Sequence, residues 1–213
     1  MELFPVIRYN LFLFKEKRKR IFTPIRAKSL QKKFIRNIMN LILETDRLIL
    51  REMLASDAEA LFEMDSNPKV HQYLWNKPLT DISEVHSYIE SVRTQYIQNN
   101  IGRFVVILKE TNELIGWAGL KYNTEMVNNK IHFFDIGYRL NEKFWGKGYA
   151  SEASFAWLDY GFNVMKIKIM EAAAHTDNIA SNRILQKIGL KMTEKYLEDG
   201  VSWNWYELKN PNL

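Results

Sequence analysis

The chain has 213 residues, 46% of them hydrophobic and 26% charged, enough for one globular domain with a sizeable core. It holds no cysteine, which excludes disulfides, thiolate metal sites and a cysteine nucleophile, and suits a reducing cytoplasm. Residues 1–40 carry eleven Lys and Arg against Glu2 and Glu16, a balance of +9, so the net +5 of the whole leaves −4 on residues 41–213.

That split bears on partners. A fold that grips nucleic acid is expected to carry positive charge on its own surface, and this one is mildly acidic, so no specific nucleic-acid partner is expected. The basic runs KEKRKR (15–20) and KSLQKKFIR (28–36) read first as a solvated tail or as residues ahead of a true start at Met39. A basic arm for RNA or an anionic membrane is the lesser alternative. Glu2 and Arg8 break any signal-peptide core, and no apolar run reaches the roughly 18 residues of a membrane span. The domain division is therefore 1–40, a basic extension without a strand or helix partner for the rest, and 41–213, the folded unit. The histidines His71, His86, His132 and His175 lack the i, i+4 spacing of a helical metal pair, and no metal is expected.

In chain order, Thr45–Met53 alternates as a first strand. Ser56 and Glu59 have capping-box spacing and open a short helix carrying Leu61 and Met64, which Asn67-Pro68 ends. Val70, Tyr73 and Leu74 occupy a second short turn. Thr80 or Asp81 caps a helix whose apolar positions Ile82, Val85, Ile89, Val92 and Tyr96 recur every three or four residues. Phe104–Leu108 and Leu114–Tyr122 form a hairpin about KETNE, and a turn at MVNNK leads into a strand from Ile131 to Leu140. Gly146 and Gly148 interrupt the pattern, and a helix bearing Ala150, Ala153, Leu158 and Phe162 follows. Ile167–Ala174 is the next strand, Asn178–Ile188 a helix closed by Gly189, and Lys191–Tyr196 with Ser202–Leu208 a final hairpin about Asp199-Gly200. The expectation is an α/β (α+β) domain: a mixed, mostly antiparallel sheet of about seven strands with flanking helices.

The stretch DIGYRLNEKFWGKGYA (135–150) organises the rest. A strand runs through a glycine turn into a helix whose first amides have no intrahelical acceptor, which suits a phosphate or pyrophosphate. It is not a P-loop, which needs Gly-Lys-Ser/Thr after four residues, and it lacks the third glycine of the dinucleotide fingerprint.

Taken with ETDRLILRE, IGYRL, WGKGYASEA and NIASNRILQKIG, this order resembles the GNAT superfamily of N-acetyltransferases over about residues 41–213. Within the superfamily, these motifs look like the branch that includes the ribosomal-protein N-terminal (alanine/serine) acetyltransferases. The resemblance implies the acyl-CoA acyltransferase fold and acetyl-CoA as co-substrate. Its coenzyme motif stands here as Lys143-Phe144-Trp145-Gly146-Lys147-Gly148, with Lys143 departing from the usual first residue. Backbone groups of Tyr138 and Leu140 are implied to pair with the pantetheine arm, the amides of Gly146, Gly148, Tyr149 and Ala150 to hold the pyrophosphate, Lys147 to add charge, and Asn178 to reach the pantetheine. By its residues alone, Asn178 reads equally as a helix cap.

The implied activity is direct acetyl transfer to a primary amine, on a protein N-terminus or a small molecule, by a monomer or homodimer. Asp135 is the candidate base, or else simply an arginine's partner. Leu185 stands where many relatives carry the tyrosine that protonates the thiolate, so Ser181 becomes the candidate acid, and a non-catalytic acyl-CoA-binding module is the alternative function. Trp117, Tyr122, Trp203, Trp205 and Tyr206 are core or hairpin aromatics, with one or two of them expected at the acceptor pocket.

Overall fold

The structure, a computed structural model, describes residues 41–213 and the short strand Arg8–Tyr9. Its elements are β1 (Arg8–Tyr9), β2 (Ile42–Glu44), β3 (Leu48–Glu52), α1 (Ala58–Asp65), α2 (Pro68–His71), α3 (Ile82–Asn99), β4 (Arg103–Leu108), β5 (Glu113–Asn123), β6 (Phe133–Leu140), α4 (Tyr149–Asp159), β7 (Ile169–His175), α5 (Ile179–Lys187), β8 (Lys191–Glu198) and β9 (Val201–Lys209). They form a nine-stranded sheet in the order β1-β2-β3-β4-β5-β6-β7-β9-β8. Only β6 and β7 run parallel; the other neighbours are antiparallel.

The mixed, mostly antiparallel α/β architecture is the expected one, with two strands more than expected. β2 is three residues long, too short for its alternation to register. β1 corrects the reading that nothing before Met39 pairs with the fold, because Arg8 and Tyr9 lie opposite Glu44 and Leu43. The basic runs 15–20 and 28–36 lie outside the described residues.

Turn chemistry explains most element boundaries. Asn128 and Asn129 (φ 47° and 58°) and Asp199-Gly200 (φ 50° and 78°) take the left-handed conformations that tight hairpin turns require. Asp81 caps α3 by accepting from Ser83 N at 2.8 Å, and α3 gives way to Asn100 in the left-handed region (φ 59°). The expected capping box at Ser56 and Glu59 is replaced by Asp57. Its carboxylate accepts from Leu54 N at 2.8 Å while pairing both oxygens with Arg51 at 2.7 Å, a bidentate clamp that a serine cannot make. α4 ends in a π-helical turn, Tyr160–Val164, near the expected stop at Gly161.

Every residue of β4 is buried, as expected of a strand covered on both faces. On one face lie α1 and α3, placed by an ion pair from Arg139 to Asp65 and by Tyr88 beside Trp117. On the other lie α4 and α5, with Trp157 of α4 meeting Phe104 edge-on at 4.8 Å. Tyr96 locks α3 to the sheet edge-ward of this core: its hydroxyl accepts from Met53 N at 3.0 Å and donates to Arg103 O. Burial pushes the Tyr96 phenol well above its ordinary value, so the hydroxyl keeps its proton for that second bond.

Two substitutions separate these contributions. Trp157→Ala is expected to cost about 3–5 kcal/mol as a large-to-small core change. Tyr96→Phe, which strands a buried N–H and a carbonyl, is expected to cost about 1–3 kcal/mol. Urea unfolding followed by circular dichroism checks both.

Candidate active site

The site begins where the sheet divides. β6 and β7 pair at two rungs only, Phe134 with Met170 and Asp135 with Glu171. Beyond them β6 stays with β5 as far as Leu140, and β7 stays with β9 as far as His175. A fork opens between the two strands. Asn141 N donates to Ile115 O, and in this register the residues whose main chain turns toward β5 are Asp135, Gly137 and Arg139. The main-chain groups of Ile136, Tyr138 and Leu140 therefore face the β7 side, where the Ile136 N–H serves the Asp135–Glu171 rung and the groups of Tyr138 and Leu140 face the open fork. One is already taken, since the Trp145 indole donates to Leu140 O at 2.7 Å and leaves Leu140 its N–H.

At the end of β6 the chain enters the glycine turn. Gly146 and Gly148 have φ of 73° and 82°, a region that resists side chains. A Cβ at Gly146 would meet nothing within 4 Å, and one at Gly148 only Arg47 Nη2 at 3.4 Å, so open space lies over the turn. The first backbone bond of α4 runs from Glu152 N to Gly148 O, which places the amides of Gly148, Tyr149, Ala150 and Ser151 ahead of the hydrogen-bond ladder. With the helix dipole behind them, these donors suit an anion of the size of a pyrophosphate.

Arg47, which nothing in the sequence singled out, braces this turn. Its Nε donates to Glu152 Oε2 at 2.6 Å, its Nη1 to Lys147 O at 3.0 Å, and its guanidinium lies 4.5 Å over the Tyr149 ring. The partners are about a hundred residues apart in sequence, so no local spacing could have announced the brace. Lys147 sits over the Phe144 ring, beside the turn. Lys143 is tied to Glu113 at 2.7 Å and to Glu63 at 3.4 Å; the Glu113 bond foremost holds its ammonium above the ordinary lysine value. Its charge is thus engaged with α1 and β5.

Across the fork, Asn178 caps α5 by accepting from Ser181 N at 3.0 Å. Ser181 Oγ lies 3.1 Å from the Tyr138 hydroxyl, which also donates to Ser181 O at 3.1 Å, so the two jaws touch through these side chains. Burial pushes the Tyr138 phenol well above its usual value. Leu185 is in the core, so no acid stands at that position.

Asp135 is paired with Arg103. The guanidinium donates to Asp135 Oδ2, to Asp135 O at 3.0 Å and to Gly119 O, and lies 5.3 Å over the Trp117 ring. Gly137 makes this possible, because a Cβ there would come within 2.7 Å of Arg103 Nη2. Beyond the end of β7, His175 and Trp203 gather with Tyr73 and Trp75, at ring separations of 5.2–5.8 Å. Of the aromatics singled out from sequence, Trp203 belongs to this wall, whereas Tyr206 is a core residue whose hydroxyl donates to Asn182 Oδ1 at 2.6 Å. Among the described residues, no group of three potential ligands is arranged for a metal ion, and no helix is long and apolar enough to cross a membrane.

The family described as "Acetyltransferase (GNAT) domain" matches residues 47–191. The chain is 34% identical over 149 residues to the uncharacterised N-acetyltransferase p20 of Bacillus licheniformis, covering 70% of this chain and 82% of that protein. A solved GNAT-family acetyltransferase from Bacillus anthracis superposes with a TM-score of 0.68 at 25% identity, covering 79% of this chain and 98% of the other. RimL, a ribosomal-protein alpha-N-acetyltransferase solved in complex with coenzyme A, shares the fold at a TM-score of 0.65 and 21% identity, covering 77% of this chain and 94% of its own. With its forked sheet and glycine turn, and on the strength of the family match and of that relative, the chain belongs to the GNAT acetyltransferases.

Proposed function

We propose that residues 41–213 transfer the acetyl group of acetyl-CoA to a primary amine, a protein N-terminal amine or a small-molecule amine, by direct attack and without an acyl-enzyme. The observation that carries this reading is that two sets of main-chain donors without ladder partners, at the open edge of β6 and at the start of α4, flank one glycine turn. Tyr138 and the Leu140 N–H would pair with the pantetheine arm as a further strand. Gly146, Gly148, Tyr149 and Ala150 would hold the pyrophosphate, with Lys147 adding charge and Asn178 Nδ2 reaching the arm from α5. A solved neighbour in complex with coenzyme A supports that co-substrate. The proposed setting is the cytoplasm, with the protein a monomer or homodimer.

The acceptor's basicity sets how much work the residues must do. An α-amine with pKa near 7.7–8.0 is partly neutral at pH 7, whereas a lysine near 10.4 needs about 4.6 kcal/mol to lose its proton. A carboxylate base therefore suits an α-amine better. Asp135, held by Arg103, serves in this proposal as a fixed negative charge at the closed end of the fork, and Ser181, held against the Tyr138 hydroxyl, as the group that passes a proton to the departing thiolate.

The buried Leu185 favours one competing reading, an acyl-CoA-binding module without catalysis. Thiol release from acetyl-CoA with a panel of N-terminal peptides, polyamines and aminoglycosides decides between them: release above the hydrolysis background excludes the inert module, and none excludes the transferase.

Three variants test the roles. Gly148→Trp fills the cradle and is expected to abolish coenzyme binding by calorimetry with an unchanged circular dichroism spectrum; retained turnover defeats the reading. Arg47→Ala unbraces the turn and is expected to weaken coenzyme binding about tenfold, a loss of about 1.4 kcal/mol. Ser181→Ala is expected to lower kcat about 10²-fold, at the lower end of positioned acid–base assistance, and an unchanged kcat removes Ser181 from the proton path.

A further inference from the structure

On the face of the sheet occupied by Asp135, three carboxylates stand side by side on neighbouring strands. Asp135 of β6 is paired with Glu171 of β7, and Glu171 with Glu207 of β9. The first of these rungs is the last before the fork opens, so Glu171 stands at its closed end. Asp135 and Glu171 share that rung but not their chemistry. Asp135 is bound by a guanidinium that stays charged at all working pH. Glu171 is buried, its side chain 7% exposed, and only its Oε1 is bonded, to Lys130 Nζ at 2.8 Å. Its Oε2 is buried with no hydrogen-bond partner among the described residues. Native folds keep few such atoms, and those they keep ask for a functional account.

Lys130 supplies the chemical clue. It follows the Asn128-Asn129 turn that leads into β6, and its ammonium is shared between Glu171 and Glu207, 5.3 Å over the Trp205 ring. Two carboxylates and an indole face thus already hold a primary ammonium. Lys130, Phe133 and Glu171 also line one surface cleft, which gives a proton leaving Glu171 a route to solvent.

Resting on the coenzyme reading above, which puts the thioester toward the closed end of the fork, we propose that Glu171 and Glu207 form the ammonium subsite of the acceptor, that Glu171 Oε2 receives the amine's proton, and that Lys130 is the subsite's resident counter-ion in the free protein. The acceptor class is a primary ammonium. In the step, R–NH3⁺ gives one proton to the Glu171 carboxylate. The nitrogen lone pair then forms the C–N bond to the thioester carbon, and the C–S electrons leave with sulfur. The nitrogen's second surplus proton ends on the thiolate, giving the amide, the free thiol and a protonated Glu171 that discharges to solvent.

The groups facing Glu171 are Lys130 from the β5–β6 connection, Glu207 from β9 and Asp135 from β6, the last with Arg103 of β4 behind it. Burial raises the Glu171 carboxyl above its ordinary value, and the Lys130 ammonium opposes that rise. For Lys130, burial acts downward, but its bonds to both glutamates outweigh it and hold the ammonium above the usual lysine value. A base must be ionised to act. A raised carboxyl therefore moves the acid limb of kcat/KM upward from the ordinary carboxylate range, and removing Lys130 moves it higher still.

The test measures kcat/KM against pH with acetyl-CoA and the amine panel for the wild type and for Glu171→Gln, Glu207→Gln, Lys130→Met and the double variant Lys130→Met/Glu171→Gln, with acetyl-CoA binding followed by calorimetry in each. The double variant and Lys130→Met both leave Glu207 without its ammonium and differ only in the charge of Glu171, so loss of activity in the double variant is not a folding defect if its thermal unfolding matches that of Lys130→Met. Expected are unchanged coenzyme binding throughout, a fall in kcat of about 10²-fold with loss of the acid limb in both Glu171→Gln proteins, a raised KM for the amine in Glu207→Gln, and an acid limb shifted to higher pH in Lys130→Met. A Glu171→Gln protein that keeps its acid limb overturns the proposal, as does a wild type that binds acetyl-CoA yet acetylates no amine. Failure to bind acetyl-CoA at all defeats instead the coenzyme reading on which it rests.

Discussion

After Asp135, β6 is hydrogen-bonded on one side only. β7 diverges from it, continuing along β9 through seven consecutive rungs in all while β6 continues along β5 through eight. Main-chain N–H and C=O groups demand partners wherever they are shielded from water, so a one-sided strand inside a nine-stranded sheet is an unfinished ladder. The glycine turn lies at the end of that ladder, where the amides leading α4 are unfinished in the same sense. A ligand that is a chain of amides ending in a pyrophosphate completes both, and this coincidence of two incomplete hydrogen-bond systems is what the proposed chemistry depends on.

Each jaw of the fork is held by polar contacts that do not use the open edge. On the β6 side, Arg103 lies beneath the strand in the space left by Gly137, while Arg47 ties the turn and the first turn of α4 to the chain entering β3. On the β7 side, Asn182 of α5 donates to His175 O at 2.9 Å and accepts from Asn204 Nδ2 at 2.7 Å and the Tyr206 hydroxyl at 2.6 Å, which fixes the helix carrying Ser181 to β7 and β9. A buried network of this kind, with Asn182 bonded through both ends of its amide, holds a geometry more firmly than isolated pairs do. The two jaws meet through Tyr138 and Ser181, so a change at either residue reaches both.

What the sequence showed and what it hid divide along sequence distance. The helices, hairpins and glycine turn follow from local signals: Asp81 and Asn178 as caps, Asn128-Asn129 and Asp199-Gly200 as tight turns, and an apolar repeat along α3. The element order that carries the family resemblance rests on those signals. Contacts between distant segments left little trace: Asp135 could be read as an arginine's partner, but not which arginine. Arg47 and Glu152, Arg103 and Asp135, and Lys130 and Glu171 each join residues that no window spans together. Short elements also escaped, β1 and β2 because two and three residues carry no periodicity. Glu171 did leave one legible sign, a lone carboxylate within the apolar run Ile-Met-Glu-Ala-Ala-Ala, but its meaning depends on a rung and a burial that only the fold supplies.

Backbone amide hydrogen exchange, read residue by residue by NMR with and without coenzyme A, addresses the unfinished ladder most directly. The account predicts that coenzyme A slows exchange at Tyr138, at Leu140 and at Gly148 through Ala150, while the amides of Gly137 and Arg139, already paired with β5, change little. Coenzyme A that binds and protects amides elsewhere, leaving the edge of β6 and the start of α4 exchanging as before, would contradict it.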